Sequence, residues 1–83
     1  MPISGLESAK SKTVGTKQTL KALNKGLAKK VFVASDADQH VIKPVLQLCQ
    51  EKGVEVVTVD SMKALGKACH IDVGCAVCAI TEE

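Results

Sequence analysis

Lys30-Val31-Phe32-Val33-Ala34, running directly into Ser35-Asp36-Ala37-Asp38, is the stretch that decides the fold. It is a short apolar run fit for a buried strand, followed by a polar loop at the strand's C-terminal end. Downstream, residues 39–52 form an amphipathic pattern. It predicts a helix that buries Val41, Val45, Leu48 and Cys49 and stops at Gly53, with Pro44 tolerable only in its first turn. Val54-Glu55-Val56-Val57-Thr58-Val59 is β-branched and reads as a second strand. Asp60-Ser61 then caps a helix carrying Met62, Leu65, Ala68 and Cys69. The turn Ile71-Asp72-Val73-Gly74 leads into a last strand, Cys75-Ala76-Val77-Cys78-Ala79-Ile80.

Upstream, Thr16 is a good N-cap for a helix that ends at Lys25-Gly26 with glycine just past the end. Its apolar stripe is Leu20, Leu23 and Leu27, while Lys17, Gln18, Lys21 and Lys25 fall on another face. Thr13-Val14 could make a very short strand, and residues 1–12 a short, poorly amphipathic helix or arm. Near-continuous apolar strands alternate with amphipathic helices, which calls for a mixed sheet covered on both faces. The expected fold class is therefore α/β: a three-layer α/β/α sandwich on a four-stranded mixed sheet, with residues 1–83 as a single domain.

Composition narrows the function. With one aromatic residue, Phe32, there is no row of rings on which unstacked bases could lie, so a single-strand reader is disfavoured. The start is polar, without an apolar signal segment, and no apolar run approaches the roughly 20 residues of a membrane span. A soluble, cytoplasmic protein is expected. The net charge of +2 hides an asymmetry: residues 1–34 carry seven lysines against Glu7, whereas residues 35–83 carry four lysines against eight acids. Such segregation suggests a polyanionic partner for one face, although a lysine-rich face is more often simply solvated.

Two motifs could carry chemistry. In Gly15-Thr16-Lys17-Gln18-Thr19-Leu20-Lys21 a glycine permits close backbone approach just before a helix N-terminus, whose N–H groups and dipole favour phosphate. Lysines at i, i+4 and i+8 repel each other by about 0.2–0.5 kcal/mol per pair, a cost that a bound polyanion removes. A capped helix with a solvated lysine face is an equal reading on spacing alone. The other motif is Cys75-Ala76-Val77-Cys78. On a strand these two sulfurs would point to opposite faces, which argues against zinc or redox chemistry and for buried, reduced structural cysteines. His40 and His70 fall at helix ends, and Asp36 and Asp38 fit a polar loop as well as a metal pair. Nothing supports an enzyme, a metal or a cofactor.

Taken together, Gly15-Thr16-x-x-Thr19-x-Lys21, Lys29-Lys30-Val31-Phe32-Val33-Ala34-x-Asp36-x-Asp38, Leu48-Cys49-x-Glu51-Lys52, Leu65-Gly66-Lys67-Ala68 and Ile71-Asp72-Val73-x-Cys75-Ala76 resemble the kink-turn-binding L-seven-Ae family of ribosomal proteins. The likeness is strongest to its short bacterial, YbxF-like members. The resemblance implies the L-thirty-e-like sandwich and a non-enzymatic RNA binder that is monomeric and ribosome-associated. Its partner would be structured RNA, a kink-turn in ribosomal or riboswitch RNA, and no DNA or membrane partner is expected. In the family's binding mode the N-terminal turn of the second helix reads tandem sheared G·A pairs in the widened major groove. By position that assigns Gly15, Thr16, Lys17, Gln18 and Lys21, with Lys25 as phosphate support. The loop before the last strand, here Ile71, Asp72 and Val73, packs on the extruded nucleotide. Lys17-Gln18 stands where archaeal members have Asn-Glu, and Gly74 where many have proline, which should leave the loop more mobile. The alternative is a protein-interaction scaffold of the same fold whose lysines meet an acidic protein surface; a thiol redox enzyme on Cys75 and Cys78 is a distant third.

Overall fold

The computed structural model describes residues 11–82, the side chain of Glu82 excepted. The expected N-terminal helix or arm lies outside them but for Ser11 and Lys12, which are already strand. In chain order the elements are β1 (Ser11–Val14), α1 (Thr16–Asn24), β2 (Lys30–Ala34), α2 (Gln39–Lys52), β3 (Glu55–Val59), α3 (Met62–Ala68) and β4 (Val77–Glu82). The strands form one sheet in the order β1-β4-β2-β3. β2 and β3 are parallel, with Phe32 opposite Val57, as a helical crossover requires. β4 runs antiparallel between β1 and β2 and places Cys78 between Val14 and Phe32.

The two central strands account for the core. Val31, Phe32, Val33 and Ala34 are all buried, as are Val77, Cys78, Ala79 and Ile80, so both faces of the sheet are covered. Helices α1 and α2 pack on each other, and α1 also lies on β1 and β4; α3 packs on β2 and β3. The three layers expected from the alternation of elements are present. Among the described residues no helix is long and apolar enough to cross a membrane.

Several local expectations shift. α2 buries Ile42, Val45 and Cys49, one position round from the expected face, while Val41 and Leu48 are half-buried. Pro44 stands in the second turn of α2, not the first, on the exposed side, where water can reach the His40 carbonyl that its missing N–H leaves unbonded. Leu27 is 54% exposed because α1 ends at Asn24 and the left-handed Gly26 (φ 71°) breaks the helical period before it. Met62 is likewise at the rim of α3. The loop carboxylates are caps: Asp38 Oδ1 accepts from His40 N at 2.8 Å, and Asp36 Oδ1 from Met62 N at 2.7 Å. Ser61 caps α3 as expected, its Oγ accepting from Ala64 N.

Candidate nucleic-acid interface

β1 passes into α1 through a single residue. Gly15 has φ 96° and ψ 158°, a backbone region essentially restricted to glycine, and serves as the N-cap. Thr16, expected as the cap, is the first helical residue instead, because the Gly15 carbonyl already accepts the first helical bond, from Thr19 N at 3.1 Å. Among the described residues no side chain caps this end. The N–H groups of Thr16, Lys17 and Gln18 have no intrahelical acceptor and face outward at the positive end of the helix dipole. Among the described residues nothing lies within 4 Å of a Cβ built on Gly15, so its requirement is conformational.

The turn is held from behind by a residue whose role spacing did not reveal. Thr19 is the fully buried polar side chain of α1, and its hydroxyl shares a 3.0 Å hydrogen bond with the Thr13 hydroxyl on β1. The Gly15 N–H donates to the Val77 carbonyl at 2.9 Å, tying the turn to the start of β4. Lys17, Gln18, Lys21 and Lys25 are exposed, whereas Gly15 and Thr16 are half-buried. Gln18, Lys21 and Lys25 line one shallow groove of about 290 Å³ together with Thr13, Ala22, Leu27 and Thr81. Leu27, exposed against expectation, thus adds an apolar side chain to the lining beside Lys21 and Lys25.

Residues 71–73 do not line that groove. They reach the same end of the sheet through residues 75–77, which enter β4 beside Gly15. Val73 is 69% exposed, Asp72 is exposed and Ile71 half-buried. Backbone bonds from Ile71 N to the Gly66 carbonyl and from Cys75 N to the Met62 carbonyl, each 3.0 Å, hold the loop against α3. Gly66 permits this approach, since a Cβ there would run into the Val73 carbonyl. Glycine inside an otherwise helical pattern is the signal that could have marked this position as part of the site. His70, at φ 63°, turns the chain out of α3 into the loop.

The cysteines depart most from expectation. β4 begins at Val77, so Cys75 precedes the strand, and the opposite-face geometry argued from i and i+3 does not apply. Cys78 Sγ lies 2.9 Å from Cys75 Sγ and 2.7 Å from Cys69 Sγ. All three residues are buried free thiols, as is the more distant Cys49. Hydrogen bonding from Cys69 and Cys78 draws the Cys75 thiol well below its ordinary range, and bonding to Cys69 and Cys75 pushes Cys78 up. Burial raises Cys49.

Known proteins agree with this architecture. Residues 4–83 match the model of the Ribosomal protein L7Ae/L30e/S12e/Gadd45 family. An RNA-binding protein of Bacillus pumilus is 52% identical over 90% of this chain and 92% of its own length. The RNA-binding protein YbxF of Geobacillus stearothermophilus is 54% identical over 81% of this chain and 82% of its own. Among solved structures, the 15.5kD RNA binding protein of Giardia lamblia superposes with a TM-score of 0.86 at 32% identity, covering 98% of this chain and 68% of that one. With a family match over nearly its whole length and just over half of its aligned residues identical in these bacterial relatives, the chain belongs to the Ribosomal protein L7Ae/L30e/S12e/Gadd45 family.

Proposed function

We propose that this protein binds structured RNA and recognises the kink-turn, using the open N-terminal turn of α1 and residues 71–73 as two parts of one face. The observation that carries the reading is the uncapped turn after Gly15, with Lys17, Gln18, Lys21 and Lys25 exposed around it. A sharply bent RNA helix crowds its phosphates, and clustered lysines beside free backbone N–H groups offset that repulsion. Gln18 can both accept from and donate to base edges, which suits the sheared G·A pairs of a kink. Val73 offers an apolar surface to an extruded nucleotide, so recognition does not require aromatic stacking. The protein acts in this reading as a monomer, without a cofactor. Binding of the chain to a kink-turn duplex, beside a control duplex whose G·A pairs are replaced by Watson–Crick pairs, tests it. We expect clear preference for the kink-turn; equal affinity for both duplexes would sink the reading.

A further inference from the structure

Three thiols meet behind the RNA face. Cys69 closes the C-terminus of α3, Cys75 precedes β4 and Cys78 is its second residue, so three separate points of the chain deliver sulfur to one place. All three sulfurs lie within 4.8 Å of one another, and their residues are 6%, 4% and 0% exposed. A disulfide would use two sulfurs and leave the third idle, whereas a metal ion can use all three. Metal–thiolate bonds of about 2.3 Å let one ion reach the three sulfurs after small side-chain rotations.

The donor set selects the ion. Thiolates prefer soft cations such as Cu(I) and Zn(II). A closed zinc site takes four ligands. Among the described residues the group contains three cysteines and no histidine or carboxylate. His70 adjoins Cys69 in sequence, but it is exposed and stands outside the group. Burial of all three cysteines also leaves little room for a water to complete a tetrahedron. We propose that Cys69, Cys75 and Cys78 form a three-coordinate site for a soft, monovalent, thiophilic cation, with Cu(I) as its probe.

The surroundings suit such a centre. The Cys75 thiol donates to the Val77 carbonyl at 3.0 Å, the same oxygen that accepts from the Gly15 N–H, and the Lys12 ammonium is within electrostatic reach of Cys69. A cation so placed offsets the negative charge of a thiolate-rich centre, as outer-sphere groups do at metal sites. Binding displaces thiol protons to solvent and moves no electrons. An ion here would pin both ends of residues 70–74, because Cys69 and Cys75 flank them. The site stands whether or not that loop touches RNA.

The test is anaerobic titration of the reduced full chain with Cu(I) held by a chromophoric chelator. We expect transfer of one Cu(I) per chain with sulfur-to-copper absorption in the ultraviolet, and an affinity lowered by about 100-fold or more in Cys75→Ser. Cys49→Ser, buried outside the cluster, should transfer copper normally. Circular dichroism establishes that each variant is folded. If Cys75→Ser does not fold, X-ray absorption on the copper-loaded native chain decides, with three sulfur neighbours expected. Failure to draw Cu(I) from the chelator overturns the proposal, as does an undiminished affinity in folded Cys75→Ser or fewer than three sulfur neighbours. Zn(II) bound more tightly than Cu(I), with a tetrahedral Co(II) spectrum, overturns three-coordination. A Cys69–Cys78 disulfide in the protein as isolated, with no copper uptake after reduction, overturns it in favour of redox chemistry.

Discussion

At the residue scale the proposed RNA face divides into readers, supports and a hinge. Gln18 can satisfy both a donor and an acceptor on a base edge, and Lys21 offers only charge. Gln18→Ala should therefore shrink the preference for G·A-containing duplexes by about 1–3 kcal/mol while leaving control binding little changed. Lys21→Ala should weaken binding to both duplexes alike and lower the salt slope by about 1. Titrations of each variant against the paired duplexes at several salt concentrations separate the two roles. Gly15 is the hinge. With φ at 96°, Gly15→Ala forces an L side chain into a region it avoids, although space is open around it. We expect a loss of about 1–3 kcal/mol in urea unfolding and weaker RNA binding, since the first-turn N–H groups lose their aim.

At the element scale, two positions separate helix stability from site geometry. Gly66 lets α3 and residues 71–74 touch backbone to backbone. Gly66→Ala removes that contact although alanine is the better helix former, so propensity and packing oppose each other. Packing wins, because a carbonyl cannot yield as a flexible side chain can. The expected result is amide shift changes concentrated in residues 71–75 and reduced kink-turn affinity, with α1 signals unmoved. Pro44 is the opposite case, a residue that weakens its own helix away from the site. Pro44→Ala should restore the bond to the His40 carbonyl and raise stability by about 1–3 kcal/mol in urea unfolding, with RNA affinity unchanged.

At the scale of the whole molecule, charge segregation sets the long-range field. Seven lysines lie in residues 1–34, whereas residues 35–83 carry eight acids against four lysines, and Lys17, Lys21 and Lys25 stand exposed on α1, which favours a polyanion there although the net charge is only +2. With Lys17, Lys21 and Lys25 as phosphate contacts, log K should fall against log salt with a slope of about −2 to −3. A slope near zero in filter-binding or anisotropy titrations would remove the lysines from the interface.

The alternation of apolar strands and amphipathic helices was legible without coordinates, because periodicity records which faces meet the core. So was the turn at residues 15–21, where glycine, threonine and spaced lysines stand together in one short segment. Boundaries were less legible: Leu27 and Val41 have the right chemistry, but a helix stop or a slight rotation decides which apolar residue goes inside. Thr19 and Gly66 showed their purpose only once β1 and residues 71–74 lay against them. The thiol cluster is the clearest case. Spacing within a strand argued that Cys75 and Cys78 part, yet β4 starts two residues after Cys75, and α3 brings Cys69 to the same point. Local periodicity governs residues inside an element; the irregular entry into β4 sets Cys75 beside Cys78, and only the packing of α3 on the sheet adds Cys69.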